Sequence, residues 1–331
     1  MADSNMQLHW TDEQWNKVRQ VVYEEARKAR VAGNVLPLYG PLEPNADYVP
    51  QQTLGQQVVQ LGGVAAGVLS VQDTQPLQLS TLQAEVFLRS AQVADPDLTS
   101  ALIAFRRAAS ILARLEDEII FRGQQGPNQG SLPLPAARAA GAAPIARAAP
   151  VLAPLWQVRG GQMTPGLVAA APTQQLVPPV VAPPRGRAAR APGAGPTSVG
   201  EALVIAISNA IGTLEQRFHL GPFACVLDQV YFTAVQSPSP YSMVLPHDRI
   251  LPFLGGGALM RSSVLDPSTG LVIGLGGAPI DLVVATDISV TFLQVTTDPY
   301  FVFRVYEKIV LRIKQADAII SLCITDEDDR D

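Results

Sequence analysis

Leu115-Glu116-Asp117-Glu118-Ile119-Ile120-Phe121-Arg122-Gly123 sets three consecutive carboxylates between apolar residues and stops on a glycine. Upstream, Leu102, Ile103, Phe105, Ala109, Ile111 and Leu112 recur at helical spacing behind an Asp95-Pro96-Asp97 start signal. The pattern predicts one long helix from Asp97 to Phe121, with Gly123 as its C-terminal stop. Glu116, Asp117 and Glu118 resemble paired carboxylates for acid–base work, but consecutive helical residues do not share a face. They read instead as ion-pair partners for Arg114 and Arg122, or for a neighbouring chain.

Towards the N-terminus lies a second helical signal. Thr11 with Gln14 three residues on forms a capping box. Trp15, Val18, Val22, Ala26 and Ala29 make one apolar stripe, and Arg27, Lys28 and Arg30 suit the negative end of the helix dipole. Pro37 and Gly40-Pro41 end it. Between the two helices, from Tyr48 to Leu88, Val58-Val59, Val64, Val68-Leu69 and Val71 are interleaved with Gln and Gly. This predicts a long two-stranded arm, which is marginal alone in water and needs something to pair with.

Towards the C-terminus, half of the 28 prolines fall between Pro127 and Thr197, in a stretch with six Arg (138, 147, 159, 185, 187, 190) and no Asp, Glu or Lys. Runs such as Pro178-Pro179-Val180-Val181-Ala182-Pro183-Pro184 exclude helix and central strand. The stretch reads as an extended, mobile insertion. The net charge of −5 leaves −11 on the remainder once the insertion's +6 is removed. A third helix is predicted over Val199–Arg217. Strand-like runs follow at Ala224–Leu227, Asp281–Ala285, Ile288–Leu293, Tyr300–Val305 and Ala318–Ile324, with glycine-rich loops between them. The layout is α+β, not alternating βαβ units.

In the 331 residues, 47% are hydrophobic and 16% charged, which argues against an acidic disordered chain. The acidic balance argues against a nucleic-acid binder. Cys225 and Cys323 make no disulfide framework, and no CxxC is present. The three His (9, 219, 247) lack metal-ligand spacing. Gly255-Gly256-Gly257 and Gly274-Leu275-Gly276-Gly277 are not followed by the Lys-Ser/Thr of a phosphate loop. No secretory signal or membrane span is expected, so the expectation is a cytoplasmic protein without catalysis or cofactor of its own.

Several blocks agree, in order, with one family. Besides Leu115–Gly123, they are Trp10-Thr11-Asp12-Glu13-Gln14-Trp15, Tyr39-Gly40-Pro41-Leu42 and Gly221-Pro222-Phe223-Ala224-Cys225-Val226-Leu227. Asp281-Leu282-Val283-Val284-Ala285-Thr286-Asp287-Ile288-Ser289-Val290 has Ala285-Thr286 where the family has Gly-Gln, and Tyr300 to Leu322 matches the closing strands. Together they resemble the encapsulins, bacterial and archaeal shell proteins with the Hong Kong 97 fold of tailed-phage major capsid proteins. The insertion is the main departure, and lengthening a flexible loop threefold costs only about 1 kcal/mol.

The resemblance implies an α+β, phage major-capsid-protein-like fold. Its parts would be an N-terminal helix and arm (1–47), an extended β-arm or E-loop (48–88), a peripheral-domain spine helix (89–126) and the insertion (127–198). An axial-domain-like region with a pore loop (199–280), closing peripheral-domain strands (281–325) and a solvated acidic tail (326–331) complete it. It implies a structural protein that self-assembles into an icosahedral nanocompartment, with on the order of 60 copies or a multiple. The partners implied are other copies of the chain and a cargo enzyme bearing a loading peptide, ferritin-like or peroxidase. By analogy, Trp15, Val18, Val22 and Tyr23 would line the cargo groove. The stretch Pro246 to Ser262, with His247, Asp248, Arg249, Leu254, Gly255, Gly256 and Gly257, would form the pore loop.

Two alternatives stand beside this reading. One is a phage-type capsid packaging nucleic acid. The four Lys (17, 28, 308, 314) lie outside the arm, so the covalent chain-mail crosslink of some phages is excluded. The other is a soluble adaptor that offers the Pro-rich insertion to partner domains.

Overall fold

The computed structural model describes residues 8–61, 64–125, 156–180, 198–238, 244–296 and 300–324. Helix α1 (Asp12–Ala29) begins where its capping box places it. The Gln14 N–H donates to Thr11 Oγ1 at 3.3 Å, and Gln14 Oε1 accepts from the Thr11 N–H at 3.0 Å. A single helical turn, α2 (Ala32–Val35), follows. Strand β1 (Leu38–Tyr39) joins the main sheet, and β2 (Tyr48–Pro50), β3 (Thr53–Leu61), β4 (Val64–Gln72) and β5 (Pro76–Gln78) build the arm.

The arm is shorter than the sequence suggests. Its return path becomes β6 (Ser80–Arg89), which pairs antiparallel with β15 (Tyr300–Ile313) inside the main sheet. The alternation Leu82, Ala84, Val86, Leu88 puts one apolar face into the core, so these residues are body and not arm.

After the turn α3 (Ser90–Val93), the spine helix α4 runs from Thr99 to Arg122. Asp95 opens it by accepting from the N–H groups of Asp97 and Thr99, at 3.1 and 2.9 Å. Gly123 closes it with φ of +90°, where a Cβ would fall 2.4 Å from the Gly166 nitrogen.

The reading of 127–198 as one extended insertion is corrected in part. Residues 156–180 are woven into both sheets through β8 (Trp156–Gly160), β9 (Thr164–Pro165), the turn α5 (Leu167–Ala170) and β10 (Thr173–Val177). A two-residue strand, β7 (Gly123–Gln124), pairs with β9. Strand β8 is an edge of the main sheet and β10 an edge of the second. Residues 126–155 and 181–197, with Arg138, Arg147, Arg185, Arg187 and Arg190, lie outside the described residues.

The remaining elements are α6 (Val199–Gln216), β11 (Phe223–Leu227), α7 (Gln229–Val235), α8 (Pro246–Ile250), β12 (Leu259–Arg261), β13 (Thr269–Gly274), β14 (Ile280–Val295), β15 (Tyr300–Ile313) and β16 (Ile319–Ile324). The main sheet has the order β1-β14-β15-β6-β8, and the second β10-β16-β13-β11-β12. Strand β16 therefore belongs to the second sheet, which corrects the grouping of 281–325 as one set of peripheral strands.

The main core takes in the main sheet and one face of the second, through Ala224, Val226, Leu271, Ile273 and Ile319, and the other face of the second sheet carries a separate core. Helices α1 and α4 pack on the main sheet, with Val18, Val22, Leu82, Phe105, Leu112 and Phe303 buried between the layers. Trp10 seals one end: its indole stacks on Phe303 at 4.7 Å, and its N–H donates to the Val93 carbonyl at 3.1 Å. Helix α6 covers the second sheet through Leu203, Ile207, Ala210 and Leu214. Cys225 lies in that core as a small apolar side chain, and burial raises its thiol pKa.

Candidate functional site

Three parts of the surface are candidates for the work of this chain: the arm, the outer face of α1, and the tip formed by α8 and its following turn.

The arm is an antiparallel pair in register from Thr53↔Gln72 to Leu61↔Val64, joined to no other strand among the described residues. Of the arm's described side chains, at 53–55 and 68–72, none enters an apolar core. Leu69 and Val71 are 74% and 60% exposed. The base is held firmly. Arg312 donates from Nε and Nη2 to the two carboxylate oxygens of Asp281, at 2.8 and 2.7 Å, and Lys314 approaches Asp281 at 2.8 Å. The same guanidinium lies 4.4 Å from the Tyr39 ring centroid and reaches the Pro50 carbonyl at the foot of the arm. The Leu54 N–H donates to the Lys314 carbonyl at 3.0 Å.

On α1, Val18 and Val22 face the subunit's own core, at 0% and 1% exposure. Their assignment to a cargo groove is corrected, because they present no surface to a peptide. Trp15 is half-buried against Trp10 and Phe303, with the Arg19 guanidinium 5.6 Å from its ring centroid. Tyr23 is exposed.

At the tip, α8 passes into a 3-10 turn over Leu251–Leu254. Ile250 and Leu254 are buried in the second core. A Cβ on Gly257 would meet the Phe223 carbonyl oxygen at 1.8 Å, so the backbone there is packed against β11. Leu254 and Gly257 are thus scaffold and not rim. His247 Nδ1 sits 3.0 Å from Asp248 Oδ1, and Arg249 is exposed. The apex is Leu251, Pro252, Phe253, Gly255 and Gly256, all exposed. Leu251 and Phe253 lie outside the charged and glycine residues that the sequence singles out; the contiguous apolar run Leu251-Pro252-Phe253-Leu254 is the signal.

The three acids of α4 do three different jobs. Glu118 pairs with Arg122 at 3.1 Å, as expected. Glu116 does not pair with Arg114 but lies 3.3 Å from Arg30, the residue that caps α1. Arg30 also meets Asp287 and Glu307, each at 3.4 Å. Asp117 accepts from the N–H groups of Val31 and Ala32, at 3.0 and 2.7 Å, and so starts α2. Burial raises the Glu116 pKa to about 7 against the pull of Arg30, and that of Asp117 to about 8 against its backbone N–H bonds. No sequence signal links Arg30 to Glu307, 277 positions away. Among the described residues, no group of three or more His, Cys, Asp or Glu is placed to hold a metal ion, and no helix is long and apolar enough to cross a membrane.

A spine helix and N-terminal helix on one sheet, a second domain with its own sheet and tip, and a coreless arm make up the subunit fold of phage-type capsids. The solved virus-like particle from Pyrococcus furiosus is similar, with a TM-score of 0.56 at 14% identity over 94% of this chain and 99% of that one. The capsid of Myoviridae phage XM1 is also similar, with a TM-score of 0.50 at 13% identity over 88% and 90%. By sequence, the chain is 25% identical over 320 residues to the type 1 encapsulin shell protein EncA of Myxococcus xanthus, covering 94% of this chain and 92% of that protein. The family described as encapsulating protein for peroxidase matches residues 7–143 and 188–310, and this chain belongs to that family of encapsulin shell proteins. The unmatched residues 144–187 include β8 to β10.

Proposed function

We propose that this chain assembles with copies of itself into a closed icosahedral shell that holds a cargo enzyme and admits its small substrates. The observation that carries the reading is the arm: two strands with a rigid foot, no core among the described residues, and Leu69 and Val71 in solvent. Such a pair is marginal alone, and a neighbouring subunit supplies the missing surface. The tip, with Leu251 and Phe253 outermost, meets its symmetry mates around a small apolar pore. The outer face of α1 around Tyr23 receives the cargo's loading peptide. The shell protein itself does no chemistry; the acids of α4 serve structure, and catalysis belongs to the cargo. The protein works in the cytoplasm.

Negative-stain electron microscopy with light-scattering mass tests the reading. Uniform hollow particles in the megadalton range are expected, and a monodisperse monomer or dimer overturns it. Leu69→Lys combined with Val71→Lys should leave the chain folded and abolish particles, because a charge carried into an interface without a partner costs several kcal/mol. Tyr23→Asp should spare particles and lower the amount of co-purifying cargo.

A further inference from the structure

Between α1, α4 and the edge strand β8 lies a cleft of about 360 Å³ lined by five cationic side chains, of which Arg30 is held by Glu116, Asp287 and Glu307 and Arg261 donates to Gln229. Arg107, Ser110, Ile111 and Arg114 line it from one face of α4, at the spacing of successive turns. Lys28 lines it from the end of α1, and Trp156 from the start of β8. Its two acids are committed elsewhere, Asp117 to the N–H groups of Val31 and Ala32 and Glu118 to Arg122. Among the described residues, Lys28, Arg107 and Arg114 have no acidic partner. Arg114 Nε and Trp156 Nε1 are buried donors with no acceptor among the described residues. A buried donor left unpaired costs about 1–3 kcal/mol, so these two N–H groups favour an acceptor in the cleft.

We propose that this cleft binds a small organic phosphate. A phosphate monoester brings close to two negative charges and three acceptor oxygens, which match three cations and two orphaned N–H groups. Ile111, Leu115, Met260 and the Trp156 ring supply apolar surface for the organic part. The volume lies at the lower end for small-molecule sites and suits a body of nucleoside-monophosphate size. The undescribed residues 126–155 carry Arg138 and Arg147 and no Asp or Glu, so they bring no counter-charge. Trp156 falls in the segment that the family match omits.

The test is a titration of the purified, full-length protein with AMP, followed by tryptophan fluorescence and calorimetry, with inorganic phosphate and adenosine in parallel. Saturable AMP binding is expected, weakened by added salt and about tenfold tighter than either fragment, because the phosphate and the body each add contacts. Arg114→Gln should weaken it about tenfold, as loss of a charge-assisted bond does. Arg107→Gln, at an exposed position, provides a second variant that does not threaten folding. Trp156→Phe keeps the ring, removes the N–H, and should weaken binding by a smaller factor. Absence of saturable AMP binding overturns the proposal, as does binding indifferent to both arginine variants. Binding that appears only after removal of the acidic residues 326–331 would assign the cleft to the chain's own tail and also overturn it.

Discussion

Strands β14 and β15 carry two buried charge clusters, and their difference explains how the shell subunit is built. At one end, Asp281 faces Arg312 directly across the pair, and both oxygens of the acid are taken by a two-pronged bond. Lys314 adds a second cation, and the stacked Tyr39 ring covers the guanidinium. Towards the middle of the pair, Arg30 is the one cation that the described residues place beside Glu116, Glu307 and Asp287. Among the described residues, one oxygen of Glu307 lacks a hydrogen-bond donor, and Glu116 has only the Arg30 ion pair and the Gly33 N–H. The first cluster is a saturated clamp at the foot of the arm. The second is short of positive charge, so it keeps a proton to remain buried. A clamp suits a part that must hold its direction toward a neighbour. A proton-holding cluster instead ties the stability of the α1–α4 junction to pH.

The comparison breaks most sharply at Asp281. Asp281→Ala leaves Arg312 buried and uncompensated, and should cost about 3–5 kcal/mol, read as a lower midpoint in chemical unfolding. A loss under about 1 kcal/mol would mean that water replaces the acid and that no clamp exists.

The second cluster is sharpened by pH. The folded pKa of Glu116 is raised to about 7 from 4.5, mainly by burial, partly offset by Arg30 and reinforced by Asp287. Glu307 is raised too, by burial and then by Glu116. An acid with a raised folded pKa holds its proton in the folded state after the unfolded chain has lost it. Its contribution is therefore fully present below the unfolded value and falls as pH rises to the folded value. The Glu116 contribution should decline between pH 4.5 and about 7, and Asp117, raised from 3.8 to about 8, carries the decline on to about pH 8. Glu116→Gln should flatten that decline, measured by denaturant unfolding across the range; an unchanged slope would assign it to Asp117, Glu307 or another site.

The smallest expected effect is at Glu118, one residue past the buried pair. Its bond to Arg122 is a partly exposed i,i+4 contact, so Glu118→Gln should cost under about 0.5 kcal/mol in the same assay. A larger cost would show that Arg122 depends on Glu118 to hold Asp266.

Local rules made much of the fold legible. The Thr11 capping box, the apolar stripe of α1, the Asp95 start and Gly123 stop of α4, and the β3–β4 arm rest on interactions within a few residues, which spacing records. The edge strands β8 and β10 escaped because they sit among proline and alanine and take their register from β6 and β16, far away in sequence. An edge strand buries little on its own account, so it leaves a weak hydrophobic pattern. The candidate sites fared unevenly for a related reason. A stripe at helical spacing identifies an apolar face, but not whether the chain's own sheet covers it, and Val18 and Val22 proved to be covered.

By itself, then, the sequence determined the helices, the arm, the α+β layout and, through ordered local blocks, the kinship with shell proteins. Only the tertiary structure decided which residues remain free to act. It buried Val18, Val22 and Leu254 and left Tyr23, Leu251 and Phe253 in solvent. It brought Arg30 to Glu116 and Glu307, and Arg312 to Asp281. The physical reason is that capping and periodicity act over a few residues of chain, whereas burial and charge pairing depend on distance in space.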